Sequence, residues 1–202
     1  ISNPSGTALF FNDNSNSNTV SYSTVTSAST ANTFSLNSSS ANVITQNYIT
    51  NSLGRALDLD ASHGNTISYS TITAAAADVI ALHVANSSSN TITQNYISNP
   101  AGFGLFFNAA SSNTVSFSTI TNNNAAYGAM TLILSTYNTI TQAYIFNPAG
   151  TALHIGNNSD LNTISYSTIT SASAASAFHL EFSSANIITQ NFITNSSGRA
   201  LN

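Results

Sequence analysis

The few ionisable side chains of this sequence include two pairs of an acid and a histidine. When the repeated segments of the chain are aligned, Asp58 falls beside His83, and His154 falls beside Glu181. A carboxylate next to an imidazole can transfer protons in general acid–base catalysis. The simpler interpretation is an exposed ion pair, which adds less than about 1 kcal/mol to stability. We expect ion pairs, with no catalytic residues and no enzyme activity.

A second possible site consists of Asp58 and Asp60, which flank Leu59 on one predicted strand. Glycosidases need two carboxylates roughly 5 to 10 Å apart, and this pair could meet that distance. The pair lies beside Arg55 but has no second charged wall opposite it. Calcium takes about six to eight oxygen ligands, so two carboxylates are too few. We therefore expect neither a metal ion nor a cofactor.

The composition argues against several kinds of partner. Charged residues form 4% of the chain, and its formal net charge is −4. The two basic residues other than histidine, Arg55 and Arg199, occupy equivalent turn positions, so no basic stripe exists to neutralise phosphates or an anionic membrane. No apolar run has the length of a bilayer span. We predict no nucleic-acid binding, no membrane insertion within this segment, and an extracellular or cell-surface location.

The elements that must position these residues are repeats of 48 residues. Isoleucine recurs at that interval, with Asn two positions later and Gly five positions later, at Ile1, Ile49, Ile97, Ile145 and Ile193. A second asparagine series divides each repeat into two coils of about 24 residues, at Asn18, Asn42, Asn65, Asn90, Asn113, Asn138, Asn162 and Asn186. A strict period without long insertions indicates similar units stacked in one direction.

Each coil contains three apolar columns that are typical of short strands. Two positions after each Asn of the second series, and again seven positions after it, the residue is Val or Ile with hydroxyl residues among its neighbours. A third apolar pair, such as Leu57 and Leu59, closes each coil. The odd offset of five between the first two columns requires a bend, because a straight strand would send the second column to the opposite face.

Stacking such coils in parallel pairs each strand with the coils above and below it, at roughly 4.8 Å per rung. Parallel strands connected in one sense wind right-handed. The sequence thus predicts an all-β, right-handed parallel β-helix, or β-solenoid, of about eight coils. We expect one continuous domain over residues 1–202, an uncapped section of a longer array or polymer. The asparagine series is expected at a corner, adopting the left-handed αL conformation and hydrogen-bonding along the stack.

The run Asn90-Thr91-Ile92 through Asn95 and Ile97, followed by Gly102 through Leu105, resembles the right-handed parallel β-helix repeat family. This family comprises pectate-lyase-like and NosD-like β-solenoids. The resemblance covers the whole chain and implies the fold. It leaves the function open, because the family includes polysaccharide lyases and hydrolases, adhesins, phage spikes and surface proteins. Its lyases typically use acidic Ca²⁺ ligands and a basic Arg or Lys, and this chain has no lysine.

Two regular outward surfaces are candidates for binding. The first is a hydroxyl ladder that could bind ice or a glycan, at Thr66, Ser68, Thr91, Thr93, Thr114, Ser116, Thr139, Thr141, Thr163 and Ser165. The ordinary explanation is that Thr and Ser are outward residues with good strand propensity. The second is an alternation of aromatic and amide residues that could bind glycans or a neighbouring rod, at Tyr22, Gln46, Tyr69, Gln94, Phe117, Gln142, Tyr166 and Gln190. The ordinary explanation here is packing between rungs.

We predict that the chain is an extracellular structural or adhesive rod in a fibre, sheath or cell-surface stalk. It would self-associate into filaments or continue in a longer chain, with glycans as further partners. The alternatives are an ice-binding solenoid and a carbohydrate-active β-helix, a polysaccharide lyase or hydrolase whose catalytic loops lie outside this segment. Glycosylation triplets occur at Asn37, Asn86, Asn157 and Asn195.

Overall fold

A computed structural model describes residues 1–202, and its 25 strands form three parallel sheets. The chain winds through one strand of each sheet per coil, in a right-handed sense, with about eight coils of roughly 24 residues. The predicted right-handed parallel β-helix is therefore confirmed. No helix in the structure has both the length and the hydrophobicity that crossing a bilayer would require.

The three sheets take their strands in the order in which each coil visits them. Sheet I contains β3 (Thr19–Ser21), β6 (Val43–Thr45), β9 (Thr66–Ser68), β12 (Thr91–Thr93), β15 (Thr114–Ser116), β18 (Thr139–Thr141), β21 (Thr163–Ser165) and β24 (Ile187–Thr189). Sheet II contains β1 (Ser2–Asn3), β4 (Thr24–Ser27), β7 (Tyr48–Asn51), β10 (Thr71–Ala74), β13 (Tyr96–Ser98), β16 (Thr119–Thr121), β19 (Tyr144–Asn147), β22 (Thr168–Ser171) and β25 (Phe192–Asn195). Sheet III contains β2 (Leu9–Phe11), β5 (Phe34–Asn37), β8 (Leu57–Asp60), β11 (Ile80–Ala85), β14 (Phe103–Asn108), β17 (Met130–Ile133), β20 (Leu153–Gly156) and β23 (Phe178–Leu180).

The interior is filled by apolar columns that the sheet register brings together. Ile67 pairs with Ile92 in sheet I, and Leu57 pairs with Leu82 in sheet III. Such residues belong to one hydrophobic cluster of 34 buried residues. Since side chains alternate between the two faces of a strand, the residues between the apolar positions point away from this core. The register that buries the core therefore also fixes which outward side chains become neighbours.

Each coil has three corners at which one residue has a positive φ, one between sheets I and II and two between sheets III and I. In one coil these residues are Tyr69 (φ 49°), Asn86 (φ 49°) and Ser89 (φ 58°). The αL conformation costs a non-glycine residue about 1–2 kcal/mol. The residue that follows each of them is buried, as Ser87 and Asn90 show. The corner thus turns one small polar side chain into the interior.

The asparagine series fills one of the three corners and forms a continuous hydrogen-bonded ladder. Asn65 donates to Asn90 Oδ1 from its backbone N at 2.8 Å and from its side-chain Nδ2 at 3.1 Å. Asn90 Nδ2 in turn donates to the Ser62 carbonyl at 3.0 Å. The backbone contact recurs along the whole series, at Asn18, Asn42, Asn65, Asn90, Asn113, Asn138, Asn162 and Asn186.

The left-handed conformation falls on the residue before each asparagine, and the expectation that the asparagine itself adopts it is wrong. Ser89 precedes Asn90 and has a φ of 58°, and Gly64 precedes Asn65 and has a φ of 62°. The left-handed residue changes the direction of the backbone, so the side chain of the next residue, the asparagine, points into the corner. The asparagine is required for its amide, which both accepts and donates.

The other two corners use Ser or Asn in the same way, and sequence analysis did not identify them as ladders. The Ser70 backbone N donates to Asn95 Oδ1 at 2.9 Å, between sheets I and II. The Ser62 backbone N donates to Ser87 Oγ at 2.9 Å, after sheet III. Each corner amide thereby gains an acceptor that no sheet partner provides. These residues are hard to recognise in a sequence because Ser and Asn are common throughout it.

The ladder makes a prediction about stability. Replacing Asn113 with Ala should lower the free energy of unfolding by roughly 1–3 kcal/mol, because the buried Asn90 N–H loses its acceptor. Urea unfolding followed by circular dichroism measures the change. The matched control is Asn123→Ala at an exposed position, which should stay within about 0.5 kcal/mol of the wild type. Equal unfolding midpoints for the two variants would contradict a supporting role for the ladder.

Candidate functional site

One outward column of sheet III carries Asp58 and three of the four histidines of the chain. Its register pairs Asp58 with His83 and Thr131 with His154. From the first coil to the last, the column consists of Phe10, Ser35, Asp58, His83, Phe106, Thr131, His154 and His179. We call it the sheet III column. A rung spacing of about 4.8 Å places each side chain in contact with the next.

Arg55, Asp58 and His83 converge on one carboxylate oxygen. Arg55 Nη1 lies 3.1 Å from Asp58 Oδ1, and His83 Nδ1 lies 2.8 Å from the same oxygen. Asp58 and His83 are 7% and 8% exposed. A carboxylate, an imidazole and a guanidinium therefore form one compact cluster.

A turn at the end of strand β7 positions the arginine. Asn51 Oδ1 accepts a hydrogen bond from the Leu53 backbone N at 3.0 Å, and Asn51 Nδ2 donates to the Arg55 carbonyl at 3.1 Å. Gly54 lies within this turn, where a Cβ atom would stand 2.4 Å from the Ala31 carbonyl oxygen. Arg55 lies two residues before the start of β8 and three residues before Asp58. The equivalent Arg199 donates to Asn202 instead of an acid, so the cluster forms once in the chain.

Two sequence-based expectations about these residues are wrong. Asp58 and His83 were expected to be an exposed ion pair, but both are buried, because neighbouring members of the sheet III column pack above and below them. The sequence analysis also treated Arg55 as a turn residue that belongs to no site, whereas the turn at Asn51 brings Arg55 to Asp58. Asp60 stands apart and accepts a hydrogen bond from Asn86 Nδ2 at 3.1 Å. The predicted neighbourhood of Asp58 and His83 is confirmed, with His83 Nδ1 2.8 Å from Asp58 Oδ1.

Aromatic rings flank the cluster on its next rung. The ring centroids of His83 and Phe106 lie 5.9 Å apart, and those of Phe106 and Phe103 lie 5.0 Å apart. Tyr127 packs on Phe103 at 4.6 Å, and its hydroxyl donates to the Asp78 carboxylate. That hydrogen bond raises the pKa of the Tyr127 hydroxyl above its ordinary value. The sheet III column therefore places an apolar, aromatic surface directly beside an acid–imidazole pair.

A second cluster lies at the far end of the same column. His154 Nε2 lies 3.1 Å from Glu181 Oε1, and His179 Nε2 lies 3.9 Å from Glu181 Oε2. The two imidazole rings stack with centroids 5.3 Å apart. Burial lowers the pKa of His154 below its ordinary value, the hydrogen bond to Glu181 acts in the opposite direction, and the charge of His179 lowers it further. Alignment of the repeats placed His154 beside Glu181, whereas the register of sheet III pairs His154 with His179, and Glu181 follows two residues later.

The hydroxyl ladder lies on the outer face of sheet I. Its first column, which includes Thr91 and Thr114, is half-buried. In its second column the hydroxyl groups bond to each other between rungs. Ser116 Oγ donates to Thr93 Oγ1 at 2.9 Å, and Ser116 is only 7% exposed. Part of the hydroxyl surface is thus already hydrogen-bonded within the protein. The structure aligns all residues of the predicted ladder on sheet I: Thr66, Ser68, Thr91, Thr93, Thr114, Ser116, Thr139, Thr141, Thr163 and Ser165.

The aromatic residues at the corner between sheets I and II are exposed to solvent. Tyr22 is 78% exposed and Tyr69 is 58% exposed, and both have positive φ. Sheet II adds Tyr48 on the intervening coil, and together these three residues border a shallow depression of about 530 Å³. We call this surface the aromatic stripe, and it consists of Tyr22, Tyr48, Tyr69, Tyr96, Phe117, Tyr144, Tyr166 and Phe192.

The four glycosylation triplets differ in accessibility. Asn37, Asn86 and Asn157 are exposed, although Asn86 Nδ2 already donates to Asp60. Asn195 is half-buried, and its Nδ2 donates to the carbonyls of Ala175 and Arg199. A glycan on Asn195 would have to break these hydrogen bonds, so the exposed positions remain the better acceptors.

Comparison with known families identifies the class of this protein. The chain belongs to the family described as the right handed beta helix region, whose model matches residues 1–135. A second family model, described as periplasmic copper-binding protein (NosD), matches residues 101–200. No curated protein matches the sequence.

Solved structures of other proteins are similar to this chain at low sequence identity, and one of them, with a TM-score of 0.59, shares its fold. A mutant of the periplasmic alginate epimerase AlgG has a TM-score of 0.59 and 13% identity, over 82% of this chain and 50% of AlgG. The Azotobacter vinelandii mannuronan C-5 epimerase AlgE4 A-module has a TM-score of 0.45 and 11% identity, over 83% of this chain and 67% of that one. An alginate lyase from Paenibacillus sp. str. FPU-7 has a TM-score of 0.46 and 10% identity, over 92% of this chain and 89% of the lyase. This chain thus spans about half the length of AlgG.

These findings overturn the prediction that the chain is not an enzyme. That prediction rested on the regularity of the rod and on the absence of a convergent acid, base and cation. The fold is shared with an alginate epimerase, so a regular β-helix is no argument against catalysis. Arg55, Asp58 and His83 converge as well.

The second cluster makes a prediction about proton binding. Glu181→Gln should lower the pKa of His154 further, because it removes the carboxylate that favours the charged imidazole. His179→Asn should raise it, because the charge of His179 opposes protonation of His154. An NMR pH titration of the imidazole resonances, with a chelator present, measures both shifts. Shifts of the same sign in the two variants would contradict the arrangement described here.

Proposed function

We propose that the chain is the β-helical part of a carbohydrate-active protein, and that a polysaccharide of uronic acids lies along the sheet III column. The observation that carries this proposal is the cluster of Arg55, Asp58 and His83. It combines the three groups that proton removal next to a sugar carboxylate requires. The fold that this chain shares with AlgG, described as an alginate epimerase, supports the same class of substrate.

The hydrogen bonds support a role for each group in the proposed reaction. Asp58 accepts the proton on His83 Nδ1, which leaves Nε2 unprotonated when the imidazole is neutral. No hydrogen bond within the chain engages His83 Nε2, and it is not one of the fully buried unpartnered atoms. Nε2 is therefore the candidate general base. The Arg55 side chain is 38% accessible, and its guanidinium can pair with a carboxylate of the substrate.

The chemistry then follows from these positions. His83 Nε2 takes the proton from the sugar carbon that bears the carboxylate, and the electron pair of that C–H bond moves onto the carboxylate. Arg55 stabilises the negative charge that develops there. Return of a proton from water to the opposite face gives the epimer. Expulsion of the neighbouring glycosidic oxygen, which takes up a proton from water, instead cleaves the chain and leaves an unsaturated end. A hydrolase with two convergent carboxylates is less well supported, because Asp60 lies outside the cluster.

The aromatic surface beside the cluster supports a sugar ligand. Phe106 and Phe103 form a half-buried apolar wall on the rung after His83. Flat aromatic faces give a large contact area at low conformational cost, which suits the apolar faces of sugar rings. We propose a location outside the cytoplasm, periplasmic or secreted, since AlgG and the matched NosD family are both described as periplasmic.

A second candidate function is the structural or adhesive rod that the repeats predicted. The observation that favours it is the aromatic stripe, whose rings are 41–78% exposed and occur once per coil. Exposed aromatic surface of this extent commonly marks a binding surface. Lateral contact between rods, or with glycan chains, would cover it. Self-association into filaments stays a prediction.

The proposed function is tested by proton exchange. Polysaccharides incubated with the protein in D₂O should gain deuterium at the carbon that bears the carboxylate, as read by NMR. Alginate and polygalacturonate are the acidic substrates, and a neutral mannan is the comparison. His83→Gln should reduce exchange by about 100-fold or more, which is typical for loss of a general base.

The control for this test is His63→Gln, at an exposed imidazole that contacts Ser88 in another part of the coil. It should leave the exchange rate unchanged. The proposed function fails if neither acidic polysaccharide exchanges, or if His83→Gln and His63→Gln behave alike.

Binding distinguishes the two glycan surfaces. Phe106→Ala should weaken retention by alginate or polygalacturonate in affinity electrophoresis, because it removes the aromatic surface next to His83. Tyr69→Ala removes an equally aromatic side chain from the aromatic stripe and should leave retention unchanged. Weaker retention of Tyr69→Ala alone would place the polysaccharide on the aromatic stripe instead.

A further inference from the structure

We propose that His154, His179 and Glu181 form a binding site for a divalent first-row transition metal ion, with Zn²⁺ as the reference ion. The site lies on the outside of sheet III, three rungs along the column from His83. At about 4.8 Å per rung this is about 14 Å from the proposed acid–base cluster. The two sites are therefore separate.

The donor atoms already stand close to the separations that a metal ion requires. The ligand atoms of the three residues lie within 4.8 Å of one another. Zinc binds imidazole nitrogen and carboxylate oxygen at about 2.0–2.2 Å, so ligands at the corners of a tetrahedron are about 3.3–3.5 Å apart. The distance from His154 Nε2 to Glu181 Oε1 is 3.1 Å, and that from His179 Nε2 to Glu181 Oε2 is 3.9 Å. Small side-chain rotations complete the geometry.

The types of donor favour a transition metal over calcium. Two imidazole nitrogens and one carboxylate suit Zn²⁺ and its neighbours in the first row, whereas Ca²⁺ takes oxygen ligands in larger number. Three protein ligands leave a fourth position for water or for an oxygen of another molecule. The three residues are half-buried, so an ion can reach them from solvent.

Gly156 supplies an independent indication that space is reserved here. It lies on β20 two residues after His154, in the outward position that Asp60, Asn108 and Ile133 occupy on other rungs. A Cβ atom at Gly156 would stand 2.9 Å from His154 Nε2 and 3.3 Å from Glu181 Cγ. Any side chain at position 156 would therefore crowd the two ligands. The rung that carries the cluster is the one that leaves this outward position empty.

An ion pair alone accounts for the arrangement less well. Glu181 needs one imidazole for an ion pair, and His154 at 3.1 Å already provides it. The second imidazole stacks on the first, with ring planes 24° apart, and also turns its Nε2 towards the same carboxylate. Two protonated imidazoles in this position would repel each other. A metal ion instead binds two neutral imidazoles and one carboxylate together.

The test is direct metal binding by the purified chain, first stripped with a chelator and then titrated with Zn²⁺ by calorimetry. One Zn²⁺ per chain should bind, and Ca²⁺ should not compete. His154→Ala and Glu181→Gln should each weaken binding by at least tenfold, since each removes a ligand. Gly156→Val keeps all three ligands but fills the reserved space, and it should weaken binding as well. His63→Gln is the matched control at an exposed imidazole and should bind like the wild type.

A spectroscopic readout separates the site from nonspecific binding. Co²⁺ should give the visible absorption of a low-coordinate nitrogen and oxygen site, and the imidazole resonances of His154 and His179 should shift on Zn²⁺ addition. Thermal unfolding without metal shows whether each variant is folded. The proposal is overturned if the ligand variants bind Zn²⁺ as the wild type does, or if all variants, His63→Gln included, lose binding equally. Because no polysaccharide enters the assay, its result is independent of the proposed function.

Discussion

The whole rod depends on how its corners satisfy their backbone amides. Three times per coil, once between sheets I and II and twice between sheets III and I, a left-handed residue turns the chain, and the N–H of the residue after it has no strand partner. A buried Asn or Ser from the next coil accepts that hydrogen bond, as Asn90 does for Asn65 and Ser87 does for Ser62. An unpaired buried amide would cost roughly 1–3 kcal/mol, and the ladders prevent that cost at corner after corner. They offset the unfavourable αL conformations and hold the coils in register.

This fixed register explains how side chains that are far apart in the sequence come together in clusters on the surface. When every coil repeats the same outline, an outward residue on one strand meets the equivalent residues above and below it. Asp58 and His83 are 25 residues apart and become neighbours for this reason, as do His154 and His179. The core and the ladders provide the rigidity, while the outward positions are free to vary. Four histidines and six acids in the chain are few, so two convergent clusters on one column stand out from an otherwise neutral surface.

Much of the fold could be predicted from the sequence, because the repeat period is marked by residues with strong structural preferences, such as Ile and Val for strands and Asn for corners. The Ile columns, the Asn series and the turn after sheet II specify the coil length, the three strands and the register. The register in turn predicts that Asp58 meets His83. It pairs His154 with His179, and Glu181, two residues further along the chain, reaches His154 only through its side chain. Their environment could not be predicted, because the burial of Asp58 and His83 depends on the side chains packed around them. The approach of Arg55 depends on the conformation of a turn, and the role of Gly156 depends on a distance between atoms.

The most direct test of the account is a crystal structure of the protein with a uronic-acid oligosaccharide. The account predicts a sugar chain lying along the sheet III column. One carboxylate should pair with Arg55, and the adjacent carbon should lie within reach of His83 Nε2. A sugar chain on the aromatic stripe, or one on sheet III with its carboxylates turned away from Arg55, would contradict it.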